Sequence, residues 1–367
     1  MKIHLLSGFL GSGKTTVIQR ACSLLLQENI PVGVITNDQG IRLVDGDYFK
    51  SLGIPGLQVE NGCFCCNYQD LNEHIESLIE TNDPACIFAE AVGSCTDMVA
   101  TVIKPLQRFR PGIQVTISVL ADVRLLKMLL EGNERLFEAS VNYIYFKQLE
   151  EAGVIIVNKI DLVSPEEMEK LKLILSEKYE HKIILYQDSL EEEDIRRWLK
   201  VLNEYPSTAA LSSLDIDYDL YGEGEAALGW LDEELVINSS DEMAEQASIA
   251  LTRSLFRKVS EGRYPIGHLK FLLNDRLKIS FTAADAMCDP DPGSMAITTL
   301  VSGLNPLPAP SARLLINARV QTDPQILTRL VEEAIDETRA AFNCEVRVYS
   351  RSAFQPGYPR PAHRIGN

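Results

Sequence analysis

The chain has 367 residues, 46% of them hydrophobic, which is enough to bury a sizeable core and to form two domains. Its formal charge of -17, with no Lys/Arg-rich run, excludes the basic stripe that a nucleic-acid-binding surface needs. No apolar stretch reaches the length that spans a bilayer, a Gly-rich motif from Gly8 leaves no room for a leader, and the eight irregularly spaced cysteines make no disulfide framework, so the expectation is a cytosolic protein with reduced thiols.

In chain order, a buried strand at Ile3–Leu6 runs into Gly8-Phe9-Leu10-Gly11-Ser12-Gly13-Lys14-Thr15-Thr16, the spacing of a P-loop directly ahead of a helix. In that reading Gly8, Gly11, Ser12, Gly13 and Thr16 belong to a nucleotide-binding turn whose backbone N–H groups face a β-phosphate. Lys14 reaches the β/γ oxygens and Thr15 offers its hydroxyl to Mg²⁺. A second strand at Val32–Thr36 leads into Asn37-Asp38-Gln39-Gly40. Further on, Asn61-Gly62-Cys63-Phe64-Cys65-Cys66 sets three thiols within four residues. Soft thiolates suit a tetrahedral Zn²⁺ or Co²⁺, with Ni²⁺ and Fe²⁺ also open, and two or three sulfurs leave a position for water, an acid or a partner's ligand. The competing reading is that these cysteines pack in the core, as the isolated Cys22, Cys86, Cys288 and Cys344 are expected to do.

A helix at Gln69–Glu80, strands at Cys86–Ala89 and Val115–Leu120, and a helix at Asp122–Leu130 follow from the apolar spacing. The strand Val154–Val157 ends in Asn158-Lys159-Ile160-Asp161. An Asp at that place accepts hydrogen bonds from guanine N1–H and its exocyclic amine, which adenine lacks, so Asn158, Lys159 and Asp161 favour GTP over ATP. A helix at Glu166–Tyr179 and a strand at Ile183–Tyr186 complete an α/β pattern: a P-loop NTPase with a mostly parallel sheet and helices on both faces.

After Leu202 the pattern breaks, and the domain reading is a GTPase domain over 1–205, a polar, acidic linker over 206–225, a smaller α+β domain over 226–352 and an extended tail over 353–367. In the second domain a helix over Glu242–Val259, strands at His268–Leu273 and Leu277–Thr282, a strand at Leu314–Val320, a helix at Pro324–Ala341 and a strand at Glu345–Tyr349 are expected.

The P-loop, the Cys-x-Cys-Cys at Cys63–Cys66 and the Asn-Lys-x-Asp at Asn158–Asp161, in this order, resemble the CobW family of metallochaperone GTPases, which is related to the urease and hydrogenase nickel-insertion proteins. The Asn-Gly before Cys63 and the strand-ending Glu90 with Gly93 resemble it too. The likeness covers roughly the first two hundred residues. It implies GTP hydrolysis coupled to holding a transition metal on Cys63, Cys65 and Cys66 and handing it to a client metalloprotein or cofactor-synthesis protein; a homodimer is left open. By position, Glu90 resembles the acid that supports Mg²⁺ through water and Gly93 the glycine that senses the γ-phosphate. Asp38 stands where the family usually has Glu, and is a candidate acid for Mg²⁺, for the transported metal, or for the attacking water. Ala91 and Val92 replace the family's hydroxyl residues, so slow turnover is expected. Cys95, two positions past Gly93, reads as a packed small residue, an extra ligand or a supporting thiol. Two other classes compete: a GTP- and metal-sensing regulatory module with negligible turnover, and a small-molecule kinase, which the guanine-reading motif disfavours.

Overall fold

The computed structural model describes residues 1–37, 49, 54–59, 62–132, 136–204, 211–288 and 306–367. Asp38, the rest of the expected switch segment up to Asp45, Asn61, the 206–210 part of the expected linker and the side chain of Cys288 lie outside the described residues. The chain divides into two compact units, one of Met1–Gln39, Gly53–Gly224 and Tyr358–Asn367, the other of Gly40–Leu52 and Glu225–Gly357.

The first unit holds a seven-stranded sheet in the order β3-β2-β4-β1-β5-β6-β7, made of β1 (Lys2–Ser7), β2 (Val32–Asn37), β3 (Gly56–Val59), β4 (Cys86–Glu90), β5 (Gln114–Asp122), β6 (Val154–Asn158) and β7 (Ile183–Gln187). Every pairing is parallel. All residues of β2, β4 and β6 are buried, and because neighbours on a strand point to opposite faces, both faces of the sheet are covered. This is why these strands read as unbroken Val/Ile runs. β3, a half-exposed four-residue edge strand, has no such run and is absent from the sequence-based expectation.

Local chemistry sets the helix starts. Ser164 and Glu167 form a reciprocal capping box ahead of the helix Pro165–Lys178, with Pro165 at its first position. Asp122 accepts from Arg124 N to begin the helix Val123–Leu130 at the very end of β5.

The second unit is a five-stranded antiparallel sheet in the order β10-β9-β11-β8-β12, with β8 (Gly229–Ser239), β9 (Ile266–Leu273), β10 (Leu277–Phe281), β11 (Ser311–Val320) and β12 (Cys344–Phe354). Its core joins Leu235, Ile237, Phe271 and Ile316 of the strands to Leu255 and Phe256 of the helix Ala244–Glu261 and to Leu327 and Val331 of the helix Pro324–Ala341.

Three expectations change here. Residues 218–225 of the expected linker lie in the helix Tyr218–Ala226, and β8, which pairs with both β11 and β12, was not anticipated. The expected tail is strand as far as Phe354, and its Tyr358–Asn367 portion belongs to the first unit. Among the described residues no helix is long and apolar enough to cross a membrane.

Candidate functional site

Because the strands of the first sheet are all parallel, their carboxyl ends form one edge, which is where open α/β sheets bind ligands. The register puts Leu6 opposite Glu90, Asp122 opposite Asn158, and Asn158 opposite Gln187, so the strand-ending polar residues lie in a row.

The turn after β1 depends on its glycines. Gly8 has φ +129°, and a Cβ there would fall 2.2 Å from Leu120 O; Gly13 has φ +100°, and its Cβ would fall 2.4 Å from Asn158 Nδ2. No side chain caps the helix Lys14–Gln27 at Gly13, and a helix N-terminus favours an anion. Lys14 is buried and its ammonium donates to Gly8 O at 2.7 Å and Phe9 O at 3.4 Å, so the cation is held within the turn. Thr15 Oγ1 donates to Glu90 Oε1 at 2.9 Å, which joins the hydroxyl and the carboxylate that the sequence assigned to Mg²⁺. This donor set, all oxygen and partly anionic, fits a hard divalent cation. Thr16 follows in the first helical turn, partly exposed. Gly93 packs on the same turn: a Cβ at Gly93 would lie 3.0 Å from Leu10 N and 2.7 Å from Leu10 Cδ2.

The residues after β6 are tied to the Gly8–Thr16 turn. Asn158 Nδ2 donates to Ser12 O at 2.8 Å, and its Oδ1 accepts from Ser189 Oγ at 2.5 Å and Ser189 N at 3.2 Å. Lys159, at φ +63°, donates to Gly11 O and to Asp122 Oδ2, each at 2.8 Å. Burial alone would raise Asp122, but the Lys159 ammonium and Arg124 guanidinium beside it hold its carboxyl far below the usual carboxylate range. Asp161 is exposed on the short helical turn Ile160–Leu162, and partial burial, then the nearby Asp188 carboxylate, push it up. The sequence reading missed Asp122 and Ser189. Their signal is positional, since each lies at or just beyond the carboxyl end of a parallel strand.

The three thiols form one cluster. Cys66 N and Asn67 N both donate to Cys63 O, at 3.0 and 2.8 Å, closing a turn ahead of the helix Tyr68–Asn82. Asn37, which ends β2, fastens that turn: its Nδ2 donates to Gly62 O at 2.7 Å and its Oδ1 accepts from Phe64 N at 2.8 Å. The sulfurs of Cys63, Cys65 and Cys66 lie within 4.8 Å of one another, with separations of 2.7 Å (Cys63 to Cys65), 3.3 Å (Cys63 to Cys66) and 3.8 Å (Cys65 to Cys66). A tetrahedral metal with bonds of about 2.3 Å needs sulfur–sulfur edges of about 3.8 Å, so Cys65 and Cys66 already match and Cys63 needs to move by roughly 1 Å. Cys63 and Cys65 are buried and Cys66 is partly exposed. Hydrogen bonding to Cys63, to Cys66 and to Cys95, and then burial, push the Cys65 thiol well up; hydrogen bonding to Cys63 raises Cys66 too. Elsewhere Cys22 and Cys86 are buried, as expected, and Cys344 is partly exposed.

The segment 358–367 meets this cluster. Ala362 N donates to Cys65 O at 2.8 Å, the Arg360 backbone bonds the Cys66 thiol, and Arg364 Nε donates to Asp97 Oδ2 at 2.8 Å. Nothing local in the sequence links residue 362 to residue 65.

Residues 2–185 match the family model described as CobW/HypB/UreG, nucleotide-binding domain. Among curated proteins, the chain is 26% identical over 182 residues to the zinc chaperone CobW of a Sinorhizobium species, covering 43% of this chain and 50% of that protein. It is 28% identical over 175 residues to the zinc chaperone YeiR of Escherichia coli K12, covering 47% and 50%. The chain therefore spans about half the length of the curated relatives it matches. Among solved structures, HypB from Helicobacter pylori in complex with nickel aligns with a TM-score of 0.41 at 15% identity, over 56% of this chain and 89% of that one.

Proposed function

Because the chain belongs to the CobW/HypB/UreG nucleotide-binding family, we propose that it is a GTP-hydrolysing metallochaperone that carries a thiophilic metal, Zn²⁺ or Co²⁺ before Ni²⁺ or Fe²⁺, on Cys63, Cys65 and Cys66 and passes it to a client metalloprotein or cofactor-synthesis protein. The observation that carries this is the gathering of three sulfurs within 4.8 Å, on a turn that Asn37 fastens to the strand edge bearing the P-loop.

In this reading Lys14 and the amides of Gly11–Thr15 hold the β- and γ-phosphates, and Thr15 and Glu90 hold Mg²⁺, which when bound supplies neutralisation of charge at the transferring phosphoryl group. Gly93 lets the loop after β4 lie on the P-loop backbone, where a γ-phosphate alters its position. Asn158 and Lys159 brace the turn, and Asp161 reads guanine. Metal affinity then depends on nucleotide state, by 1 to 3 kcal/mol in the usual range of about 5- to 150-fold, and metal tightens GTP by the same factor.

Equilibrium dialysis of Zn²⁺ and Co²⁺ against the protein with GTP analogue, GDP or ATP tests the proposal. One metal per chain, lost in a Cys63/Cys65/Cys66 triple-alanine variant, is expected; binding that ignores those cysteines, or equal affinity in both guanine states, defeats it.

Two further outcomes are expected. Asp161→Asn weakens GTP by about 1.5–3 kcal/mol, roughly 10- to 150-fold, with little change for ATP, as read by competitive nucleotide titration. The pH dependence follows from the raised thiols: Cys65 and Cys66 carry protons at neutral pH and must lose them to bind metal. Zn²⁺ affinity therefore rises with pH below the thiol range, by about tenfold per unit for each proton released. Chelator competition at several pH values checks this, and a flat profile removes thiolate ligation.

A further inference from the structure

We propose that Cys95 is a fourth sulfur ligand of the Cys63/Cys65/Cys66 site, placed by the loop that carries Gly93, so that the site is closed while Cys95 is engaged and open for transfer when it withdraws. The inference rests on the metal-carrying reading above and adds to it the means by which the nucleotide acts on the metal.

Three sulfurs leave a tetrahedral ion one position short, and a closed thiolate site uses four. The Cys95 thiol faces Cys65 as a hydrogen-bond partner and its residue is fully buried, while its sulfur stands outside the 4.8 Å group of the other three and must move inward to ligate. The other side of the cysteine turn is already met by Arg360 and Ala362, so the buried side is where a fourth donor from this unit comes within reach.

The backbone around Cys95 connects it to the phosphate turn. Gln148 Nε2 donates to Gly93 O at 3.0 Å and to Cys95 O at 2.8 Å, clamping the two residues together, and Cys95 N donates to Val92 O at 3.1 Å. Gly93 itself lies so close to Leu10 that no Cβ fits between them. A displacement of the P-loop neighbourhood at Gly93 is thereby carried two residues on to a sulfur that touches the cluster. Ligation needs no redox partner: each S–H that becomes a ligand gives its proton to water as the sulfur–metal bond forms, and withdrawal reverses this.

Co²⁺ added to the full chain is the probe, because thiolate-to-cobalt charge-transfer intensity scales with the number of sulfurs and distinguishes a ligand from a supporting thiol. With a non-hydrolysable GTP analogue, Cys95→Ala is expected to lose about a quarter of that intensity and to bind Zn²⁺ about 10- to 100-fold more weakly, whereas the wild type with GDP resembles Cys95→Ala. Cys95→Ser serves as the second variant should the alanine lower the melting temperature of the apo-protein. Unchanged intensity in both variants, with metal still lost from the Cys63/Cys65/Cys66 triple-alanine protein, overturns the inference and leaves the metal-carrying reading intact. Failure of the wild type to bind Co²⁺, or binding that survives the triple substitution, overturns both.

Discussion

Replacing Lys14 with alanine lowers GTP affinity by about 1,000-fold, ~4 kcal/mol, counted as two charge-assisted contacts of about 2 kcal/mol each with the β- and γ-phosphates. The side chain is buried and already held by Gly8 O and Phe9 O, so little further ordering of it is needed when a phosphate arrives. Arginine does not rescue, because its planar fork cannot occupy the space of a compact ammonium inside a tight turn. Fluorescent-nucleotide titration measures the loss. A decrease of less than tenfold would show that Lys14 does not hold phosphate. The same variant keeps the thiol cluster, so its Zn²⁺ binding persists but no longer responds to GTP.

Arg319→Ala destabilises the second unit by about 3–5 kcal/mol, the range for breaking a buried ion pair by removing one partner. Arg319 is 0% exposed, donates to Asp232 Oδ1 at 2.8 Å and stacks its guanidinium 3.8 Å from the Trp230 ring centroid. Its loss removes the cation facing a buried carboxylate together with a cation–π contact. Urea denaturation measures the change, and an Arg319→Met, Asp232→Leu double variant, which removes both charges, should recover most of it. A change below about 1 kcal/mol in the single variant would mean that water or other groups replace the arginine at little cost.

That pair also explains what the sequence hid. Val154–Val157 reads as a strand from its apolar run because the strand is buried on both faces, whereas β8 carries Asp232, Glu233 and Glu234 in its middle and resembles a solvated segment. Each of those acids meets an arginine from a neighbouring strand: Asp232 meets Arg319 and Glu234 meets Arg313, both on β11, and Glu233 meets Arg351 on β12. Charges cancelled by residues some 80 to 120 positions away leave no local pattern to read. β3 escaped for a simpler reason: of its four residues only Val59 is buried, and the others include a glycine and a glutamine.

The site divides in the same way. In the proposed reading, the P-loop, the Asn158–Asp161 motif and the cysteine trio stand out in the sequence because phosphate, guanine and metal chemistry each demand particular residues at contiguous spacing. Asp122, Gln148 and Ser189 act by tertiary proximity: Asp122 secures Lys159, Ser189 secures Asn158, and Gln148 secures the Gly93–Cys95 loop from a distant helix. Cys95 had three open meanings in one dimension, and its contact with Cys65 exists only in three.

The bonds from Asn158 to Ser12 and from Lys159 to Gly11 rivet the loop after β6 to the Gly8–Thr16 turn, which in the proposed reading are the purine end and the phosphate end of one nucleotide site. A guanine nucleotide lying across both would be gripped at its two extremities by one block, so escape past that corner requires the rivets to fail together. An exchange factor that shortens the dwell time of GDP would accordingly have either to pry this corner apart or to work on the opposite wall.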